Sequence, residues 1–194
     1  MSKATIGMIN QMSHEIESAA GQAISEKVMA GSESLTAKSS SAETALWVKE
    51  AMERFDELAD QESRVKAMTN CGLNCSMKNY TAIERGKARR EKFQTEEEFL
   101  AAELRKSPAG TRMERDGDIL YQIYTPGSFR KGMRCFCGLM FGLPEGELAS
   151  RTYCNCSRAF ATAYWQAVLG RSVNVEVLET AISGGSECRF KISL

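Results

Sequence analysis

"TRMERDGDILYQIY", residues 111–124, is where the chain changes its hydrophobic period. Alternating apolar and polar residues flank Asp116-Gly117, a favoured two-residue turn, and the combination predicts a β-hairpin. Upstream, the period is helical. Val48, Met52, Phe55, Leu58 or Ala59, Val65 and Met68 form one apolar stripe, which predicts a long helix from Glu43. It should stop in "TNCGLNC", residues 69–75, where Asn70 and Gly72 are stop signals. Helices follow over "YTAIERGKARREKF" and from Thr95 in the capped "TEEEFLAAELRK", and Pro108 and Gly110 close the helical half. Nearer the start, Ile9, Met12, Ile16, Ala20 and Ala23 lie close to helical spacing, and "GSESLTAKSSSAE" reads as a loop ending in a capping Ser41.

Downstream of the hairpin, a third strand is expected over "GMRCFCGLMF", residues 132–141, after a turn at "TPGS". "SRAFATAYWQAVLG" reads as a helix capped by Ser157 and ended by Gly170. The chain closes with the strand "SVNVEVLET", the turn "ISGGS" and the strand "ECRFKISL", in which Cys188, Phe190, Ile192 and Leu194 share a face. Helices, a meander, a helix and a C-terminal hairpin make an α+β fold with a mostly antiparallel sheet. The expected organisation is an N-terminal helical or flexible extension over 1–41 and one α+β ligand-binding-type domain over 42–194.

The 194 residues carry 25 basic and 25 acidic side chains, so no strong field attracts nucleic acid or anionic lipid. The basic run "RGKARREK" precedes the acidic "TEEEF" and reads as a solvated helix face. No stretch approaches the ~18 apolar residues of a membrane span. "MSKATIGMINQM" has no basic region followed by a long apolar run, so no secretory signal is expected and the expected location is the cytoplasm. There, paired cysteines read first as metal ligands or redox groups.

Six of the seven cysteines fall in three close pairs: Cys71 and Cys75, Cys135 and Cys137, Cys154 and Cys156. On a strand, Cys135 and Cys137 would point to one side. Cys154 and Cys156 precede a helix, whose N-terminus favours thiolate. Two C-x-C pairs supply the four ligands that zinc prefers without any histidine. His14, the chain's one histidine, stands far from every cysteine and reads as a surface residue. The expected metal ligands are therefore Cys135, Cys137, Cys154 and Cys156, with Cys71, Cys75 and Cys188 as weaker candidates. Zinc is the expected metal, an iron–sulfur cluster the alternative, and burial as small hydrophobes the competing explanation. Glu179 continues the inward face of Val173, Val175 and Val177 and is a weak candidate for an acid/base or a ligand, with a place beyond the core at the sheet edge as the competing reading; Glu176 is a weak candidate for a general base.

Residues 156–194 resemble the end of a 4-vinyl reductase-type domain through Gly170, Val173, Val175, Glu176 or Glu179, Gly184, Cys188 and Phe190. The resemblance implies an α+β fold around a small-molecule or lipid pocket, in a superfamily that serves nitric-oxide signalling and Golgi transport. Some bacterial regulators of this type hold zinc through cysteines and a carboxylate. The chain departs from the pattern in having Thr180 where many members carry a cysteine, and in its two extra C-x-C pairs. A weaker similarity links the ending to L-2-amino-thiazoline-4-carboxylate hydrolases. The resulting expectation is a small-molecule-binding or sensing domain with a thiolate metal site. Metal-assisted hydrolysis of a small cyclic substrate and thiol redox or metal handling are the alternatives. The N-terminal apolar stripe permits a homodimer as readily as internal packing.

Overall fold

The structure is a computed structural model that describes residues 2–106 and 108–194. Helix α1 (Lys3–Ala20) and α2 (Gln22–Val28) are separated at Gly21, whose φ of +89° suits a residue without Cβ. Helix α3 (Ser41–Leu58) opens with a capping box of Ser40 and Glu43, one residue ahead of the expected cap. The long helix expected from Glu43 is two. Ala59 and Asp60 are extended, and the Asp60 carboxylate accepts from Ser63 N to start α4 (Gln61–Lys78). That helix does not stop at Asn70 and Gly72 but runs on to Lys78. Helices α5 (Tyr80–Arg90) and α6 (Glu96–Leu104) follow, the latter with a Thr95/Glu98 capping box.

Strands β1 (Thr111–Asp116) and β2 (Ile119–Tyr124) form the expected hairpin. Because Asp116 pairs with Ile119, the turn residues are Gly117 and Asp118, and Gly117 takes the left-handed φ of +56°. A short helix α7 (Pro126–Phe129) comes next, and a 3-10 turn at Arg151–Cys154 leads into α8 (Asn155–Leu169), which ends at Gly170 with φ +70°. Strands β3 (Asn174–Glu179) and β4 (Cys188–Ser193) complete one antiparallel sheet of order β1-β2-β4-β3. The architecture is α+β, with the helices first and a C-terminal hairpin.

The third strand is a correction. Residues 131–150, which include "RCFC", contain no strand. One edge of β2 is taken by β1 and the other by β4, with Leu120 opposite Ile192, so no place remains beside it. The segment buries Met133, Leu139, Met140 and Leu143, a spacing that follows no strand period.

Two apolar clusters flank α8. The first gathers Met12 and Ile16 of α1, Met52 and Phe55 of α3, Met68 of α4 and Tyr153. The stripe on α1 thus packs within the chain itself. The second joins Phe99 and Leu100 of α6, Trp165 and Val168 of α8, and Phe190 and Ile192 of the sheet. Trp165 Nε1 donates to Gln122 Oε1 at 2.9 Å, which satisfies the indole where it is buried. The other sheet face carries ion pairs, among them Arg189–Glu114 at 2.7 Å and Arg112–Glu187 at 2.9 Å.

Gly72 is a packing residue. A Cβ there would overlap the carbonyl oxygen of Cys156 and come within 2.7 Å of Ala159 Cβ. Gly86 performs the same service one helix later, where a Cβ would meet Val168 Cγ2 at 2.6 Å. Small residues on α4 and α5 therefore let both helices lie close against α8 and set where their neighbours point.

Candidate functional site

Cys71 and Cys75 are four residues apart on α4, so both project from one helix face. That face is covered by α1, whose Gly7, Met8 and Met12 line a cavity of about 400 Å³ together with Cys71, Cys75 and Met68. Two further cysteines reach the same space: Cys137 from the irregular segment and Cys156 from the first turn of α8. Four thiols from three separate segments thus line one cavity. Tyr153 Oη stands 3.1 Å from Cys137 Sγ, within hydrogen-bonding reach, and Asn79 Nδ2 donates to Cys75 Sγ at 3.5 Å. Asn74, Asn79, Gln11 and Lys78 supply the polar part of the lining.

The expected quartet divides. Cys137 and Cys156 line the cavity, whereas Cys135 and Cys154 do not. The reason is local geometry. Cys154 closes the 3-10 turn and Cys156 is the second residue of α8. At ~100° per residue, a step of two carries the side chain to the opposite flank of a helix. In the irregular segment, Cys137 N donates to Cys135 Sγ at 3.4 Å, a tight local turn in place of the expected pleat. Cys154 is buried in the first apolar cluster. Cys188 packs with the sheet cluster, where its sulfur accepts from Ala181 N at 3.4 Å. The structure thus brings Cys71, Cys75, Cys137 and Cys156 to one cavity and leaves Cys135, Cys154 and Cys188 outside it.

Burial governs the chemistry of these sulfurs. It pushes the Cys71 thiol up to about 12, with the Glu15 carboxylate and Cys137 adding to the shift. It also raises Cys75 and lifts Cys156 well above the ordinary thiol value. These three are neutral thiols at pH 7. Among the described residues, no three cysteine, histidine or carboxylate side chains already stand as a metal cage.

Of the two placements open to Glu179, the structure takes the one beyond the core. The β3–β4 register shifts between Val177 and Glu179. The bulge turns the carboxylate out, where Oε1 accepts from Ser186 N at 2.6 Å, Ser186 Oγ at 3.1 Å and Glu187 N at 3.3 Å. Those bonds, led by the two backbone donors, hold its carboxyl below the usual range. It organises the turn and does not line the cysteine cavity. Glu179→Gln is expected to leave the fold intact and to speed amide exchange at Ser186 and Glu187, because a neutral amide oxygen accepts more weakly. Unchanged protection would remove this role. Glu176 lies on the exposed sheet face, 3.3 Å from Lys191 Nζ, and His14 is exposed on α1.

The cavity was missed in the sequence because it depends on α4 continuing past Gly72. The i, i+4 spacing of Cys71 and Cys75 was the available signal. No described helix is long and apolar enough to cross a membrane. The chain belongs to a family of unknown function, DUF6144, whose family model matches residues 6–194. No curated protein matches it.

Proposed function

We propose, for a chain whose family brings no assigned activity, a small-molecule-binding or sensing domain whose ligand site is the sulfur-lined cavity, with zinc held by Cys71, Cys75, Cys137 and Cys156. One observation carries this reading: four of seven cysteines, from three segments, line one cavity of about 400 Å³. Zinc takes four ligands and accepts thiolates readily. Thiolates and thioethers together select soft ions, and Met8, Met12 and Met68 share the lining. An iron–sulfur cluster draws on the same donors.

Metal binding has to displace protons from the Cys71, Cys75 and Cys156 thiols, which burial holds neutral, so affinity weakens as pH falls and binding releases acid. It also has to draw the four sulfurs together, since no three of the described donors already stand as a cage. The last forty residues run helix, strand, glycine-containing turn and strand, the order that the 4-vinyl reductase-type resemblance implies, which supports a pocket for a small molecule. Thiol redox catalysis wants a low-pKa thiolate, and burial moves Cys71, Cys75 and Cys156 the other way. Hydrolysis with Glu176 or Glu179 as base finds no support, because neither lines this cavity. All seven cysteines are free thiols, which suits a reducing compartment such as the cytoplasm.

The test is zinc titration of anaerobically purified protein with thiols counted before and after. The expected result is one zinc per chain, about four thiols protected from a thiol reagent, and proton release on binding. Cys75→Ser and Cys137→Ser should each weaken binding at least ~10-fold, whereas Cys188→Ser should not. Displacement of an apolar fluorescent probe by zinc would tie both uses to one cavity. Loss at Cys135 and Cys154, with none at Cys71 and Cys75, would return the site to the C-x-C quartet. A folded protein that binds no zinc overturns the metal assignment.

A further inference from the structure

A second concavity, of about 490 Å³, opens between α4, the start of α8 and β3. Three guanidinium groups line it: Arg64 from α4, Arg151 from the 3-10 turn and Arg158 from α8. The chain as a whole is neutral, so this is a local concentration of positive charge. We propose that this cleft binds a small oxyanion, the phosphate or carboxylate group of a metabolite-sized molecule.

Two of the three arginines, Arg151 and Arg158, are held in place without a carboxylate partner. Arg151 Nη2 donates to the carbonyls of Val177 and, at 3.3 Å, Leu178. Arg158 Nη2 donates to Thr69 Oγ1 at 3.2 Å. Arg64 alone has a carboxylate, Asp56 at 2.6 Å. Glu176, the one carboxylate in the cleft's lining, is turned to Lys191. Two buried donors remain without a partner among the described residues: Arg64 Nε and Arg158 Nε. A buried N–H without an acceptor costs free energy, and a bound water or ion is one way to satisfy it.

The planar guanidinium fork fits the two oxygens of a carboxylate or phosphate, which a point charge does not. Asn155, also in the lining, begins α8, so the positive end of a fifteen-residue helix adds to the same field. The 3-10 turn already uses Asn155 N on Thr152 O and Tyr153 O, so the side chains, not that backbone amide, must do the binding. The cleft is separate from the cysteine cavity, and its lining includes no cysteine.

The experiment is titration of the full chain with inorganic phosphate and, separately, malonate. Amide chemical shifts are the readout, and chloride at matched ionic strength is the control. Saturable shifts around Thr152, Asn155 and Val175, absent with chloride, are expected with at least one of the two. The tighter probe assigns phosphate or carboxylate as the group recognised. Arg151→Gln and Arg158→Gln should each weaken binding at least ~10-fold, since each removes a charged donor. Glu176→Gln, at an exposed position, should tighten it by removing a like charge. Zinc affinity should stay the same in all three variants, which separates failure here from failure of the cysteine site. If Arg158→Gln loses its fold, the exposed Arg151 decides the matter. No saturable change with either anion up to ~10 mM, or equal affinity in Arg151→Gln, overturns the proposal.

Discussion

Gly72→Ala should cost about 3 kcal/mol of stability or more, although alanine is the better helix former by about 1 kcal/mol. For a chain of this length that corresponds to a fall in Tm of roughly 6–12 °C. The sign is decided by space. An added methyl would overlap the Cys156 carbonyl and press on Ala159 Cβ at 2.7 Å. Backbone cannot move aside as the tip of a long side chain can, so α4 and α8 must separate and disturb the apolar clusters on either side. Gly7→Ala is the matched control. Gly7 is also within a helix, with nothing inside 4 Å of the new Cβ, and should gain about 0.5–1 kcal/mol. Thermal or chemical unfolding of the two variants measures both. Equal and opposite shifts would fit the close α4–α8 contact poorly, and an unchanged Gly72→Ala would rule it out. Because α4 carries Cys71 and Cys75 and α8 carries Cys156, the same substitution should also weaken the proposed zinc binding.

The second large effect is expected at Asp56, near the end of α3. Its Oδ1 accepts from Arg64 Nη1 of α4 at 2.6 Å and from Thr152 Oγ1 of the 3-10 turn at 2.6 Å. One carboxylate therefore joins three elements. Asp56→Asn leaves Arg64 without its counter-charge in a partly buried position and should cost about 2 kcal/mol. Side-chain exposures of 24% for Arg64 and 30% for Asp56 keep the loss below that of a fully buried pair. The pH dependence has a definite direction. Burial alone would raise the carboxyl, but hydrogen bonds from Ser150, Thr152 and Arg64 outweigh it and leave it below the ordinary value. Its stabilisation is therefore complete above about pH 4 and is lost as pH falls through the lower folded-state value. Wild-type stability should drop across that acid window, while Asp56→Asn should lack that component of the drop. Asp60→Asn, which keeps a good capping residue at the exposed start of α4, should be close to neutral. Parallel acid profiles for wild type and Asp56→Asn would contradict the assignment.

Much of the fold was legible because its signals are local. Thr95 and Glu98 announce α6, Gly170 ends α8, and alternation in 111–124 marks a hairpin that the structure contains within one residue of the expected turn. The errors have particular causes. The stripe from Val48 to Met68 continues across Ala59 and Asp60, and periodicity alone does not register that an aspartate there prefers to cap. Gly72 carries the same letter whether it ends a helix or admits a neighbouring one; only the position of Cys156 and Ala159 on α8 separates the two. For Glu179, counting in twos along β3 leaves the inward face and the sheet edge both open, and the bulge after Val177 decides for the edge.

The amino-acid sequence alone determined the α+β class and the helical-then-strand order, because period, caps and turn residues act over a few positions. It also showed that the thiols come in pairs. Tertiary structure decided which of them meet. Cys71 with Cys75 share a side because α4 continues beneath α1, while Cys154 and Cys156 part because a helix begins between them. The direction of a side chain two residues on depends on whether the backbone is pleated or coiled, and which sulfurs then share a cavity depends on how α1, α4, the irregular segment and α8 pack.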